Sequence, residues 1–151
     1  MAFLSKAIAL YYKHIRLFAH LAPALDLILR IHIASVFFKS GLTKIMTWSS
    51  TLYLFNEEYH VPLLSPETAA WMATGGELAL PVLLVLGLFG RFAALGLSIL
   101  NGVAVIAYAH GLSEAGMNLH FYWGLILGIL LLHGCGKWSL DAWLERRFSQ
   151  P

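Results

Sequence analysis

Four stretches of this chain stay apolar for about the length that crosses a bilayer core, which takes roughly 20 residues of helix. They run about 24–46, 68–89, 92–110 and 119–133 and use most of the 151 residues. In hydrocarbon every backbone N–H and C=O needs a partner inside the protein, so a run of this length folds as a helix. The expected fold class is all-α, an integral membrane four-helix bundle. Composition closes off the alternatives. Only 12% of residues are charged and 59% are apolar, whereas soluble domains carry roughly 25% charged residues. That much apolar sequence is not disordered, and a net charge of +2 argues against a nucleic-acid partner. The single cysteine, Cys135, rules out an internal disulfide, a CxxC redox centre and a cysteine-rich zinc site.

The connections are short, so residues 1–151 form one domain. Gly87-Leu88-Phe89-Gly90-Arg91 joins the second and third spans as a tight hairpin, with glycine stopping a helix. Before the first span, Leu4, Ile8, Tyr11, Ile15 and Phe18 recur at helical spacing, with Lys6, Lys13, Arg16 and His20 opposite. This predicts an amphipathic helix over residues 1–22 lying at the membrane surface as an anchor. It is no signal peptide, because Lys13, His14 and Arg16 interrupt the apolar stretch. Trp48, Leu52, Phe55 and Tyr59 share one helical face and predict a short interfacial helix between spans one and two. Ser65 is placed to cap the second span, with Pro66 and Glu67 at its start. Ser139 is placed to cap a short helix in the basic tail, 134–151.

Lys and Arg near the span ends set orientation. Lys6, Lys13, Arg16, Arg91, Lys137, Arg146 and Arg147 fall on one side, and Glu57, Glu58, Glu67 and Glu114 on the other. The expectation is a multi-pass protein with both termini in the cytoplasm.

Ionisable residues inside a membrane are costly and mark sites of function by default. The intramembrane polar set is Arg30, Lys39, Lys44, Glu77 and Asn101. On the first span Arg30, Phe37, Gly41 and Lys44 form a stripe that should face the interior, with Asp26 beside it. Asp26 and Arg30 are four apart and suited to a local pair. A second stripe, His32, Ser35, Lys39 and Thr43, faces a groove, or Lys39 snorkels. Glu77 is in reach of Lys44 or Lys39. Pro81, four residues on, leaves the Glu77 carbonyl without its helical donor. Gly75 and Gly76 allow close approach. Asn101 is placed to hydrogen-bond across helices, and Gly124 and Gly128 form a GxxxG pair that permits a homodimer. Each of these also has a purely structural reading as an ion pair or interhelical bond.

Seven histidines invite a metal reading. His60, His110 and His120, with Met117, are the weak candidates on the outer side, where imidazole and thioether would suit copper. No ligand spacing appears among them, so interfacial surface histidines are the expectation and no metal is assigned. His32 and His133 are the inner pair a haem would need, and no spacing selects them. Tyr108, His110 and His120 are the groups a bound quinone would meet. Hydrolase triads, phosphate loops and dinucleotide motifs are absent, so no cofactor is specified and no catalytic residue is assigned.

The run Leu29-Arg30-Ile31 with Phe37-Phe38-Lys39-Ser40-Gly41-Leu42-Thr43-Lys44 resembles the opening helix of the DoxX family. Gly76-Glu77-Leu78, Gly87-Leu88-Phe89-Gly90-Arg91 and the close Gly134-Cys135-Gly136-Lys137-Trp138-Ser139-Leu140-Asp141 resemble it too. Arg30, Gly41, Lys44, Glu77, Arg91, Ser139 and Asp141 are the positions that map. The resemblance implies a four-span bacterial inner-membrane protein. It implies association with quinone-linked thiosulfate oxidation, with redox complexes that resist oxidative stress, or with copper-handling peptides; distant eukaryotic relatives are cargo receptors or assembly factors. The expected function is a membrane partner or anchor of a redox or metal-stress system, with other membrane or periplasmic proteins as partners. The alternatives are a quinone-reactive oxidoreductase subunit, and a small transporter or channel subunit.

Overall fold

The computed structural model describes the backbone of residues 2–149; before residue 18 it describes the side chains of Ile8, Leu10, Tyr11, Tyr12 and Ile15 alone. Leu4, Lys6, Lys13 and Arg16 of the expected amphipathic face have side chains outside the described residues. Among the described residues there are six helices and no strand. They are α1 (Ala2–Met46), α2 (Trp48–Glu57), α3 (Pro66–Leu86), α4 (Gly90–Ala107), α5 (Glu114–His133) and α6 (Leu140–Phe148). Four segments are long and apolar enough to span a membrane: Phe18–Met46, α3, α4 and α5.

The span ends differ from the expected ones by a few residues. The fourth span gains a turn and begins at Glu114, because Ser113 caps it and accepts from the Gly116 N–H at 3.1 Å. Ser65 caps α3, accepting from the Thr68 N–H at 3.3 Å, and Pro66 is its first residue. The N-terminal segment is helical but is not a separate element. It runs into the first span without a break, with Pro23 inside α1. No glycine or capping residue stands between His20 and Asp26 to stop the helix, and proline removes a single backbone donor.

The spans alternate in direction, so each end of the bundle gathers specific turns. One end, here the α6 end, holds the α3–α4 turn and the segment after α5. The other, the α2 end, holds α2 and the α4–α5 turn. Between them lies the core: Ile33 and Phe37 of α1, Leu84 of α3, Ala93, Ala94 and Leu97 of α4, and Leu127 and Leu130 of α5, with Cys135 below. A smaller core at the α2 end is built on Phe55, Ala69 and Ala70, with Trp48, Leu52 and Tyr59 packed on it. The shared face of α2 thus rests on α3. The α5 helix sits at the edge. Only Leu127 and Leu130 of it are buried, while Leu119, Phe121, Tyr122, Leu125, Ile129 and Leu132 are exposed.

Candidate functional site

The polar residues of the spans separate into three groups. At the α2 end, Lys44 Nζ donates to both Glu77 carboxylate oxygens, at 2.9 and 2.7 Å. Its third bond goes to Ser40 Oγ at 2.8 Å. All three ammonium donors are therefore used, and Glu77 is 9% exposed. Local packing makes this possible. A Cβ at Gly41 would stand 3.0 Å from the Glu77 Cβ, so α1 and α3 approach closely only because position 41 is glycine. Thr51 Oγ1 donates to the Lys44 carbonyl at 2.9 Å and ties α2 to the last turn of α1.

Thr74, one turn before Glu77 on the buried face of α3, is 2% exposed and its hydroxyl has no partner. Above lies a ring stack. Phe55 and Tyr59 have centroids 5.1 Å apart, and Tyr59 and Tyr108 also 5.1 Å apart. Burial pushes the Tyr59 phenol above its ordinary value, and Tyr108, Glu58 and Glu77 add to the effect.

Asn101 of α4 grips α5. Its amide donates to the His120 carbonyl at 2.9 Å, and its Oδ1 lies 2.8 Å from His120 Nδ1. With the amide spent on the carbonyl, Oδ1 faces the ring as acceptor, so Nδ1 carries the hydrogen. The interhelical bond expected of Asn101 is present. His120, expected as an interfacial surface histidine, is instead half-buried against Asn101 and Trp123.

The α6 end holds Arg30, fully buried. Its Nη1 donates to the Val85 carbonyl at 2.9 Å, and its Nη2 to the Trp138 carbonyl. Val85 lies in the last turn of α3, where carbonyls lack helical donors and a cation is favourable to the helix dipole. The guanidinium thus joins three segments. Asp26 does not take it up. Its Oδ2 lies 3.9 Å from His133 Nε2 and packs against Gly136, where a Cβ would come within 2.2 Å of it.

Asp141 completes this end. Its carboxylate accepts from the Phe89 N–H at 2.9 Å and the Gly90 N–H at 2.8 Å, capping α4 from a distant helix. Its own N–H donates to the Gly87 carbonyl at 2.9 Å. Gly87 ends α3 at φ +65, with the Leu88 N–H reaching back to the Leu83 carbonyl and the Gly87 N–H to that of Leu84, the Schellman arrangement. A Cβ there would also stand 2.4 Å from Ser139 Cβ and 2.6 Å from Arg30 Nη1. Ser139 caps α6 through the Ala142 N–H at 3.2 Å and donates to the Gly136 carbonyl at 2.7 Å. Burial pushes the Cys135 thiol up; Arg30 opposes this, and Asp141 and Asp26 reinforce it.

The structure therefore brings Lys44 to Glu77 and leaves Arg30, Lys39 and Asn101 elsewhere. Lys39 is exposed together with His32 and Thr43. His60 and His110 are exposed, Met117 is 39% exposed, and Tyr108 packs on Tyr59 rather than with His120. Among the described residues no group of three or more His, Cys, Asp or Glu could hold a metal ion. Gly76 meets Leu100 of α4, Gly75 faces open space, and of the GxxxG pair Gly124 meets Asn101 and Gly128 nothing. Sequence reasoning missed Thr51 and Thr74. The register of Thr74, three before Glu77 on one helix face, is the signal that would have found it.

A family model described as DoxX matches residues 25–111, the segment that carries Arg30, Lys44, Glu77 and Asn101. A protein of Haemophilus influenzae, described as uncharacterised, is 34% identical over 128 residues, covering 80% of this chain and 83% of its own length. No solved structure matches.

Proposed function

Because this chain belongs to the DoxX family, we propose that it is a multi-pass protein of the bacterial inner membrane that serves as a membrane partner or anchor of a redox or metal-stress system. The observation that carries this reading is how its buried charges are spent. Lys44 spends its three donors on Glu77 and Ser40, and the Arg30 guanidinium holds two backbone carbonyls. Such groups fix helices against one another. The exposed flank of α5 supplies surface for another membrane protein. The positive-inside distribution puts the α6 end in the cytoplasm. Reporter fusions at Phe148 and in the α4–α5 turn test the orientation; cytoplasmic activity for the first and outer-side activity for the second is the expected result.

A second reading, a quinone-reactive subunit, is favoured by one observation. The partnerless Thr74 hydroxyl lies one turn from Glu77 on the buried face of α3. Mild-detergent purification from native membranes separates the two. A membrane or periplasmic redox protein retained in fixed ratio, with no quinone in the extract, supports the partner role. Stoichiometric quinone on the protein alone overturns it in favour of the second reading.

A further inference from the structure

One face of α1 turns away from the bundle and is poorly matched to lipid alone. Ile28, Leu42 and Met46 on it are exposed, as suits apolar residues, but so are His32, Lys39 and Thr43. The hydroxyls of this stripe are spent on their own helix. Ser35 Oγ donates to the His32 carbonyl at 2.7 Å, and Thr43 Oγ1 to the Lys39 carbonyl at 3.0 Å. Lys39 makes no hydrogen bond or ion pair through its side chain among the described residues. It stands between Met46, where α1 ends, and Arg30, which bonds in the last turn of α3. These lie roughly 10 and 14 Å from it along the helix. A four-carbon stem falls short of both, so snorkelling does not free the ammonium from hydrocarbon. A charge in such a place calls for a partner.

Resting on the partner role above, we propose that this stripe docks a transmembrane helix of a different membrane protein, and that a carboxylate on that helix pairs with Lys39. A second copy of the chain cannot supply the acid. Of the eight acidic residues, Glu77 alone lies at this level, since its Cβ adjoins position 41 of α1, and Lys44 already holds its carboxylate. Asp26 is about 20 Å back along α1. Glu67 and Glu114 stand in the first turns of α3 and α5, and the others lie outside the four spans. A symmetric pair of copies through this face would also set Lys39 against Lys39. The α5 flank of Leu125, Ile129 and Leu132 is apolar and is satisfied by lipid. Pairing with Lys39 fixes the partner's depth as well as its face, because an acid facing lipid is itself costly.

The test is photocrosslinking in native membranes, using the full chain with benzoylphenylalanine in place of Leu42, beside Lys39, or of Ile129 on α5. From position 42 the expected product is an adduct with a second protein whose sequence places an Asp or Glu inside a transmembrane segment. Lys39→Leu removes a charge from an exposed position, keeps the Lys44–Glu77 contact and should cut that adduct about tenfold. Lys39→Arg should keep it. Amidation of the partner's acid, by Asp→Asn or Glu→Gln, should cut it equally, and this leaves the present chain untouched, so misfolding cannot explain the loss. An adduct with lipid alone, with another copy of the chain or with a protein lacking an intramembrane acid overturns the assignment, as does one indifferent to Lys39→Leu. A protein adduct from position 129 and none from 42 overturns it while keeping the partner role. No protein adduct from either position removes both.

Discussion

The bidentate contact between Lys44 and Glu77 makes each residue the condition for burying the other. Removing one partner of a buried pair strands the other charge, at a cost of about 3–5 kcal/mol, whereas apolar replacement of both is often close to neutral. Glu77→Gln should therefore lower the thermal unfolding temperature sharply, and Glu77→Met/Lys44→Met should recover most of the loss, as read by circular dichroism in detergent. A Glu77→Gln protein as stable as wild type would show that the pair contributes nothing to folding. Cys135 gives a second prediction. With its thiol raised by burial, less thiolate exists at a given pH. At pH 8 the folded protein should be alkylated far more slowly than the unfolded one, by mass spectrometry of a maleimide time course. The sequence identified the stripe through Arg30, Gly41 and Lys44, and put Glu77 in reach of Lys44 or Lys39 without choosing between them. It did not identify what Arg30 holds. The partners lie 55 and 108 residues away and are carbonyls, which every residue has. The local Asp26 pairing lost because the end of α3 offers an acceptor with no helical donor.

Helix ends hold most of the specific chemistry at the scale of elements. Asp141 caps α4 although 51 residues separate it from Gly90. Asp141→Ala should cost roughly 1–2 kcal/mol, the range for losing an N-cap, and should speed amide exchange at Phe89 and Gly90 more than elsewhere in α4. Uniform exchange along α4 would count against this role. Gly87→Ala should do more damage than a cap. It strains a positive φ and also drives a methyl into Ser139 and Arg30, and the expected readout is failed accumulation of folded protein in the membrane. The caps at Ser65 and Ser139 and the stop at Gly87 were legible because each uses a local rule. The cap at Phe89 was not, since its acceptor comes from another helix. Nor was the continuity of α1, where Pro23 is the single break signal and the helix runs through it.

Across the whole molecule, the Arg30 and Lys44 groups lie 14 residues apart on α1, about 21 Å at 1.5 Å per residue. Sites that far apart with no shared partner add in their effects to within about 0.5 kcal/mol. The combined Glu77→Gln/Asp141→Ala variant should therefore lose the sum of the two single losses in denaturant titrations. A clear excess or shortfall would mean that α1 couples its two ends. Four spans and their order were legible because hydrocarbon permits few solutions. Which helix stands at the edge was not, because the apolar side chains of α5 read alike whether they face lipid or core. The capping of α4 by Asp141 also bears on biosynthesis. All four spans leave the ribosome before residues 134–141 do, so an emerging chain can enter the bilayer with the start of α4 and one end of Arg30 still unsatisfied. A chain stopped after His133 should insert fully, as shown by glycosylation or reporter mapping, yet be cleared by membrane proteases within a pulse–chase. The tail would act as a late checkpoint of assembly, so that maturation is signalled by the part of the protein made after its membrane spans.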